Sequence, residues 1–409
     1  MQGSIVKTTS FWKAGHAPTL FASFFYFDLS FMVWVLLGPL AVQIASDLHL
    51  TAAQKGLMVA TPLLAGALLR IVMGVLVDHL KPKKAGVIGQ VVVMAGMLWA
   101  WLGSLDSYAH MLTLGVILGV AGSAFAVALP LASRWYPPEH QGTALGIAGA
   151  GNSGTAFAAL FAPGLALAFG WQNVFGLALI PLGVAFIVYL AFAKDAPTAP
   201  APKALGEYLA VLKDRDAWWF MFFYSVTFGG FSGLASSLTI YFNSEYGLSP
   251  VTAGYFTAAC VFAGSLVRPL GGIVADRIGG IKTLSLTYVL AAVFLLLASL
   301  RLPTYELALL VFVLAMLALG TGNGAVFQLV PQRFRKEIGV MTGLVGMAGG
   351  IGGFYLASSL GYSKQLTGDY QFGLTVFAGL AALALVGLSA VKTRWRTTWG
   401  NAAMTTAKI

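Results

Sequence analysis

The feature that most constrains this chain is an apolar run of about 20 residues, long enough to carry an α-helix across roughly 30 Å of hydrocarbon, repeated twelve times. The runs begin near residues 17, 54, 84, 109, 141, 172, 217, 251, 281, 304, 338 and 370. Lipid offers no partner for backbone N–H and C=O groups, and the short alternating segments of a barrel are missing, so each run is predicted to be a helix. Composition agrees, because only 9% of the 409 residues are charged, against roughly a quarter in soluble domains. A soluble fold is excluded. The 49 glycines and ten tryptophans suit closely packed membrane helices with aromatic residues near the interfaces.

The first run follows a polar, weakly basic stretch ending near His16 and is too long for a cleaved signal-peptide core, so it is read as the first span. The net charge of +10 reflects topology rather than nucleic-acid binding, because the basic residues are scattered through short loops. With the N-terminus in the cytoplasm, Lys55, Arg301 and Lys364 fall outside, Arg70 and Arg268 fall within the membrane, and the rest of the 24 Lys and Arg fall inside. That distribution satisfies the positive-inside rule. The inner clusters are Lys81, Lys83 and Lys84; Lys203, Lys213 and Arg215; Arg333, Arg335 and Lys336; and Lys392, Arg394 and Arg396. Both termini are therefore expected in the cytoplasm, in a multi-pass protein of the inner membrane. Cys260 is the only cysteine, which rules out an intramolecular disulfide, and no His, Cys or acidic cluster has metal-ligand spacing. Neither a metal nor a cofactor is expected.

A polar connection carrying Pro197, Pro200 and Pro202 divides the chain into residues 1–193, a linker over 194–216, and residues 217–409. The two parts repeat each other. LLRIVMGVLVDHL from Leu68 to Leu80 matches LVRPLGGIVADRI from Leu266 to Ile278, so that Arg70 pairs with Arg268, Gly74 with Gly272, and Asp78 with Asp276 at one separation of 198. Phe24, Phe25 and Tyr26 recur at that separation as Phe222, Phe223 and Tyr224. A weaker echo relates Gly142, Gly146 and Gly149 to Gly339, Gly343 and Gly346 at a separation of 197. Duplicated six-helix bundles commonly face each other across an axis along the membrane normal, with substrate near the midplane. Arg70 and Arg268 would then stand on opposite walls.

An arginine at the bilayer centre costs roughly 2.5 to 3.5 kcal/mol on insertion scales, so such a residue normally serves a function or has a fixed partner. Arg70 lies about eight residues, or about 12 Å, from the end of its run, and Arg268 is equally deep. Asp28 is the only acid inside a predicted span, so both arginines cannot be neutralised by protein carboxylates. A planar guanidinium donates paired hydrogen bonds to two oxygens of one ligand, and a small anion from solution is the simplest partner. Bonding to backbone carbonyls and water alone is the alternative. Asp28 is either a proton-coupling site or a permanent ionic partner for Arg70 or Arg268.

GVLVDHLKPKK (Gly74 to Lys84) and GGIVADRIGGIK (Gly271 to Lys282) resemble the cytoplasmic signature of the major facilitator superfamily and its second copy. His79 departs from that pattern where Arg277 keeps it. The resemblance implies an all-α polytopic membrane protein of twelve transmembrane helices in two six-helix bundles, with Asp78, Asp276 and Arg277 as gating residues. Within the superfamily, GIAGAGNSGTA (Gly146 to Ala156) and GLVGMAGGIGGFYL (Gly343 to Leu356) resemble the two signatures of the nitrate/nitrite porter family. The resemblance implies that Arg70 and Arg268 bind the anion, that Phe125 and Phe228 sandwich it, and that Asn152 and Tyr224 hydrogen-bond it. Asn323, 198 residues after Phe125, is expected to face the same cavity. The glycines Gly149, Gly151, Gly154, Gly346, Gly349, Gly350, Gly352 and Gly353 are expected to let the fifth and eleventh spans slide or bend. The expected activity is alternating-access transport of nitrate and/or nitrite, by exchange or with protons, in a monomer surrounded by membrane lipid. A porter for formate or a short carboxylate, or a sensor that binds without transport, are the rivals. A nucleophile or carboxylate pair that would suggest an enzyme is missing.

Overall fold

The computed structural model describes residues 10–197, 206, 210–335, 337–400 and 409, with side chains 138–139 and 141–143 also left undescribed. Pro200, Pro202, Lys203 and Lys336 of the sequence reading lie outside the described residues, and so does the side-chain environment of Gly142. The twelve spans are α1 (Ala17–Asp47), α2 (Ala52–Leu80), α3 (Pro82–Leu102), α4 (Tyr108–Ser133), α5 (Ala144–Phe169), α6 (Trp171–Phe192), α7 (Arg215–Tyr246), α8 (Pro250–Ile278), α9 (Gly280–Ala298), α10 (Tyr305–Arg333), α11 (Ile338–Thr367) and α12 (Gln371–Thr397). They form two six-helix bundles, α1 to α6 and α7 to α12. The chain is a multi-pass membrane protein.

Hydroxyl caps start many of the spans. Thr51 and Gln54 form a reciprocal capping box at the head of α2, while Ser107, Ser249 and Thr304 cap α4, α8 and α10. Among the described residues, eleven helices are long and apolar enough to cross a membrane. The exception is α7, whose Ser, Thr, Gly and Tyr residues dilute its apolarity. Its position explains the difference, since every residue from Val226 to Phe242 is buried against protein and little of α7 needs to dissolve in lipid.

Four spans are interrupted near their middle. In α1 the helix stops at Trp34 and resumes at Leu37, and in α4 it stops at Gly122 and resumes at Phe125. In α5 the residues Ala150–Ser153 form a 3-10 turn, and α8 breaks at Val267, just before Arg268 and Pro269. Irregular backbone at membrane depth is tolerated where it lies inside protein or lines a cavity.

The bundles touch closely on the face away from the termini, and glycines nearer the terminal face border open space. On the far face the packing is backbone to backbone. A Cβ on Gly56 would come within 2.6 Å of Gly361 Cα, one on Gly38 within 2.5 Å of Ser236 O, and one on Gly254 within 2.5 Å of Ala159 O. On the terminal face a Cβ on Gly146, Gly149, Gly339 or Gly343 would meet open space.

The repeat extends to the backbone. Gly279, between α8 and α9, has φ 103°, and its equivalent Lys81, between α2 and α3, has φ 69°. The chain makes the same left-handed turn at both places, although only one of them carries glycine.

Candidate functional site

Arg70 sits on α2 and is 1% exposed. Its Nε donates to Gly122 O at 3.2 Å and its Nη1 donates to Gly346 O on α11, in the other bundle. Three aromatic faces surround the guanidinium, with Phe125, Phe228 and Trp34 centroids 5.1, 5.5 and 5.7 Å from its carbon. Nη2 is buried and has no hydrogen-bond partner. The carbonyl alternative thus describes part of the Arg70 environment, and one donor is left over.

Arg268 opens the second segment of α8. Its Nη2 donates to the Tyr224 hydroxyl at 3.3 Å, its carbon lies 5.6 Å from the Phe327 ring centre, and its Nη1 is buried without a partner. Tyr224 stacks on Phe228 at 5.2 Å with planes 3° apart and meets Phe327 edge-on at 5.0 Å. One continuous path therefore runs from Arg70 through Phe228 and Tyr224 to Arg268. Each arginine keeps one buried terminal nitrogen without a hydrogen-bond partner.

The two asparagines are also buried, at 1% exposure each, and the Oδ1 atoms of both lack a hydrogen-bond partner. Asn152 lies in the 3-10 turn of α5 and Asn323 in α10. No hydrogen bond among the described residues joins either of them to the arginines.

Asp28 departs from one of its two expected roles. It is 4% exposed and accepts a hydrogen bond from Ser153 Oγ at 2.8 Å, and no ion pair among the described residues includes it. The expectation of a permanent ionic partner for Arg70 or Arg268 is therefore corrected. The reason is geometric, since Asp28 faces the 3-10 turn of α5, where a Cβ on Gly154 would come within 1.7 Å of Asp28 O.

The glycines serve close approach at several points. A Cβ on Gly349 would lie 2.7 Å from the Tyr224 ring, and one on Gly346 would lie 3.1 Å from Arg70 Nη1. Gly350 approaches Ala67, Gly352 approaches Ser225, Gly353 approaches Ser232, and Gly151 approaches Phe27. Gly149 faces open space. Among the gating candidates, Asp78 pairs with Arg134, just past the end of α4, at 3.5 Å, within its own bundle, and Asp276 and Arg277 are exposed.

Sequence reasoning missed Trp34 and Phe327. Neither lies in a signature segment, and among ten Trp and 28 Phe composition gives no means of selecting them.

The sequence profile of the Major Facilitator Superfamily matches residues 20–357. A protein named "Nitrite extrusion protein" from Bacillus subtilis is 31% identical, covering 87% of this chain and 89% of its own length. One named "Probable nitrate/nitrite transporter NarK2" from Mycobacterium tuberculosis is 32% identical over 90% of this chain and 95% of its own. A third, "Probable nitrate transporter NarT" from Staphylococcus carnosus, is 33% identical over 87% and 91%. Among solved structures, a bacterial homologue of the human lysosomal transporter Spinster superposes with a TM-score of 0.70 at 18% identity, covering 93% of this chain and 96% of that one; that likeness concerns the fold alone. The family signatures and these relatives lead to one conclusion, that the chain belongs to the nitrate/nitrite porter family of the major facilitator superfamily.

Proposed function

We propose that this protein is a secondary transporter that moves nitrate and/or nitrite across the cytoplasmic membrane by alternating access. The observation that carries the reading is a pair of arginines, one from each bundle, Arg70 buried and Arg268 half-buried, each with one buried terminal nitrogen that lacks a partner and neither with a carboxylate partner among the described residues. Two positive charges inside a membrane protein make a site for an anion, and the flat faces of Phe125, Phe228 and Tyr224 favour a planar one. Asn152 and Asn323 are the further ligands, since either side-chain amide can turn a donor toward the anion. The printed names of the relatives support the same substrates.

In this reading, residues 1–193 and 217–409 are the moving bundles, 194–216 links them, both termini face the cytoplasm, and the cavity is open to that side. The bundles exchange arginine contacts as they rock. Arg70 bonds Gly346 across the interface. The repeat equivalents of these residues are Arg268 and Gly149, of which Gly149 faces open space and Arg268 has a free Nη1. Closing the terminal face brings Arg268 toward the Gly149 carbonyl while Arg70 releases Gly346. Asp78, Asp276 and Arg277 then meet the opposite bundle. An anion bridging the arginines offsets their repulsion during the change, so an empty carrier reorients slowly and exchange of nitrite for nitrate is the natural mode. Proton symport is the second reading, favoured by the buried carboxylate of Asp28, which has no ion-pair partner among the described residues.

Nitrate uptake into proteoliposomes separates these modes. Acceleration by internal nitrite without a pH gradient supports exchange. Dependence on the gradient that disappears in Asp28→Asn supports symport, and nitrate bound but never accumulated contradicts transport. Labelled formate uptake that nitrate fails to inhibit would point to a carboxylate porter instead.

A further inference from the structure

We propose that Trp34 is a positioning residue for the anion site, acting through the guanidinium of Arg70. This inference rests on the reading of Arg70 as an anion ligand.

Trp34 is fully buried and ends the first segment of α1, at the break just before Val35. Its indole is fixed on two sides. Nε1 donates to Pro62 O at 2.7 Å, on the same helix that carries Arg70. The ring occupies a notch left by two glycines, since a Cβ on Gly66 would come within 2.8 Å of Nε1 and one on Gly122 within 2.3 Å. Gly122 does double service, because its carbonyl also receives Arg70 Nε. Any movement of the indole therefore disturbs the carbonyl that holds the arginine.

The indole meets the site from two directions. Its centroid lies 5.7 Å from the guanidinium carbon, and its plane is within 9° of the Phe228 ring, 6.5 Å away in the other bundle. Trp offers the strongest cation–π face among the aromatic side chains. Anchored by its N–H bond, it restrains the guanidinium plane and leaves Nη2 as the guanidinium nitrogen without a protein partner. Smaller or unanchored side chains give the guanidinium room to turn, and the aim of Nη2 is lost. A residue that merely filled space would show no link to Arg70.

The test compares Trp34→Leu and Trp34→Phe with wild type in proteoliposomes. In Trp34→Leu the nitrate KM rises about tenfold, the size expected for losing a buried cation–π contact, while kcat stays within about a factor of two. Trp34→Phe, which keeps a flat face but loses the N–H bond, recovers only part of the affinity, with a KM still about threefold above wild type. In an Arg70→Lys background, Trp34→Leu adds no further change. An unchanged KM in Trp34→Leu, a fall in kcat alone, or full additivity with Arg70→Lys would overturn the proposal. If Trp34→Leu fails to fold, Trp34→Phe still decides, because a KM equal to wild type there together with unchanged nitrate binding by the purified protein removes the role given to the anchored indole. Wild-type protein that binds no nitrate contradicts the anion-site reading itself, a result distinct from any of these.

Discussion

A carboxylate in hydrocarbon must be neutralised or hydrogen-bonded, and Asp28 takes the second course by accepting from Ser153 Oγ. It thereby ties α1 to the 3-10 turn that carries Asn152. Under exchange, Asp28→Asn keeps an acceptor for that hydroxyl, and nitrite-driven nitrate uptake is expected within about a factor of three of wild type. A variant that had lost its response to a proton gradient would show instead that the acid carries protons. Gly154→Ala is a harsher change, because the new Cβ would lie 1.7 Å from Asp28 O, and overpacking of this kind costs roughly 1 to 3 kcal/mol. Its thermal midpoint in detergent is expected to fall. At this scale the arginines were legible in the sequence, since a charge inside an apolar run is conspicuous. The partner of Asp28 was not, because Ser153 lies far away in the chain and only the folded contact of α1 with α5 joins them.

At the scale of elements, four of the proposed site side chains stand at interruptions. Trp34 ends one helical segment, Phe125 and Arg268 each begin one, and Asn152 lies in the 3-10 turn. Twelve spans could be read from apolarity because lipid demands it. Two of the interruptions could not be read from proline, which stands in the first turn after the breaks in α1 (Pro39) and α8 (Pro269) but not after those in α4 and α5. The turn at Lys81 was equally hidden, as its φ of 69° is positive like the 103° of Gly279 and nothing in a lysine announces it. A non-glycine residue held there costs about 1 to 3 kcal/mol. Lys81→Gly is therefore expected to raise the thermal midpoint and Gly279→Ala to lower it, as measured by thermal unfolding of the purified protein. No change in either variant would remove the strain from the account.

At the scale of the whole molecule, close backbone contacts hold the bundles together on the far face, while Gly146, Gly149, Gly339 and Gly343 border open space nearer the terminal face. The native Cys260 is buried, so introduced cysteines report access cleanly. Gly343→Cys, facing open space, is expected to react with a membrane-impermeant thiol reagent applied from the terminal side, whereas Ala357→Cys, 1% exposed, is expected to resist. Equal labelling of both would contradict an open terminal face. The central claim is that one planar anion ties the bundles together through Arg70 and Arg268. Calorimetric titration of nitrate into the purified wild type, Arg70→Lys and Arg268→Lys proteins tests it directly. Lysine keeps the charge and loses the planar fork, so each variant is predicted to bind about tenfold or more weakly, the loss of one charge-assisted hydrogen bond; affinity close to wild type in either variant would contradict the account.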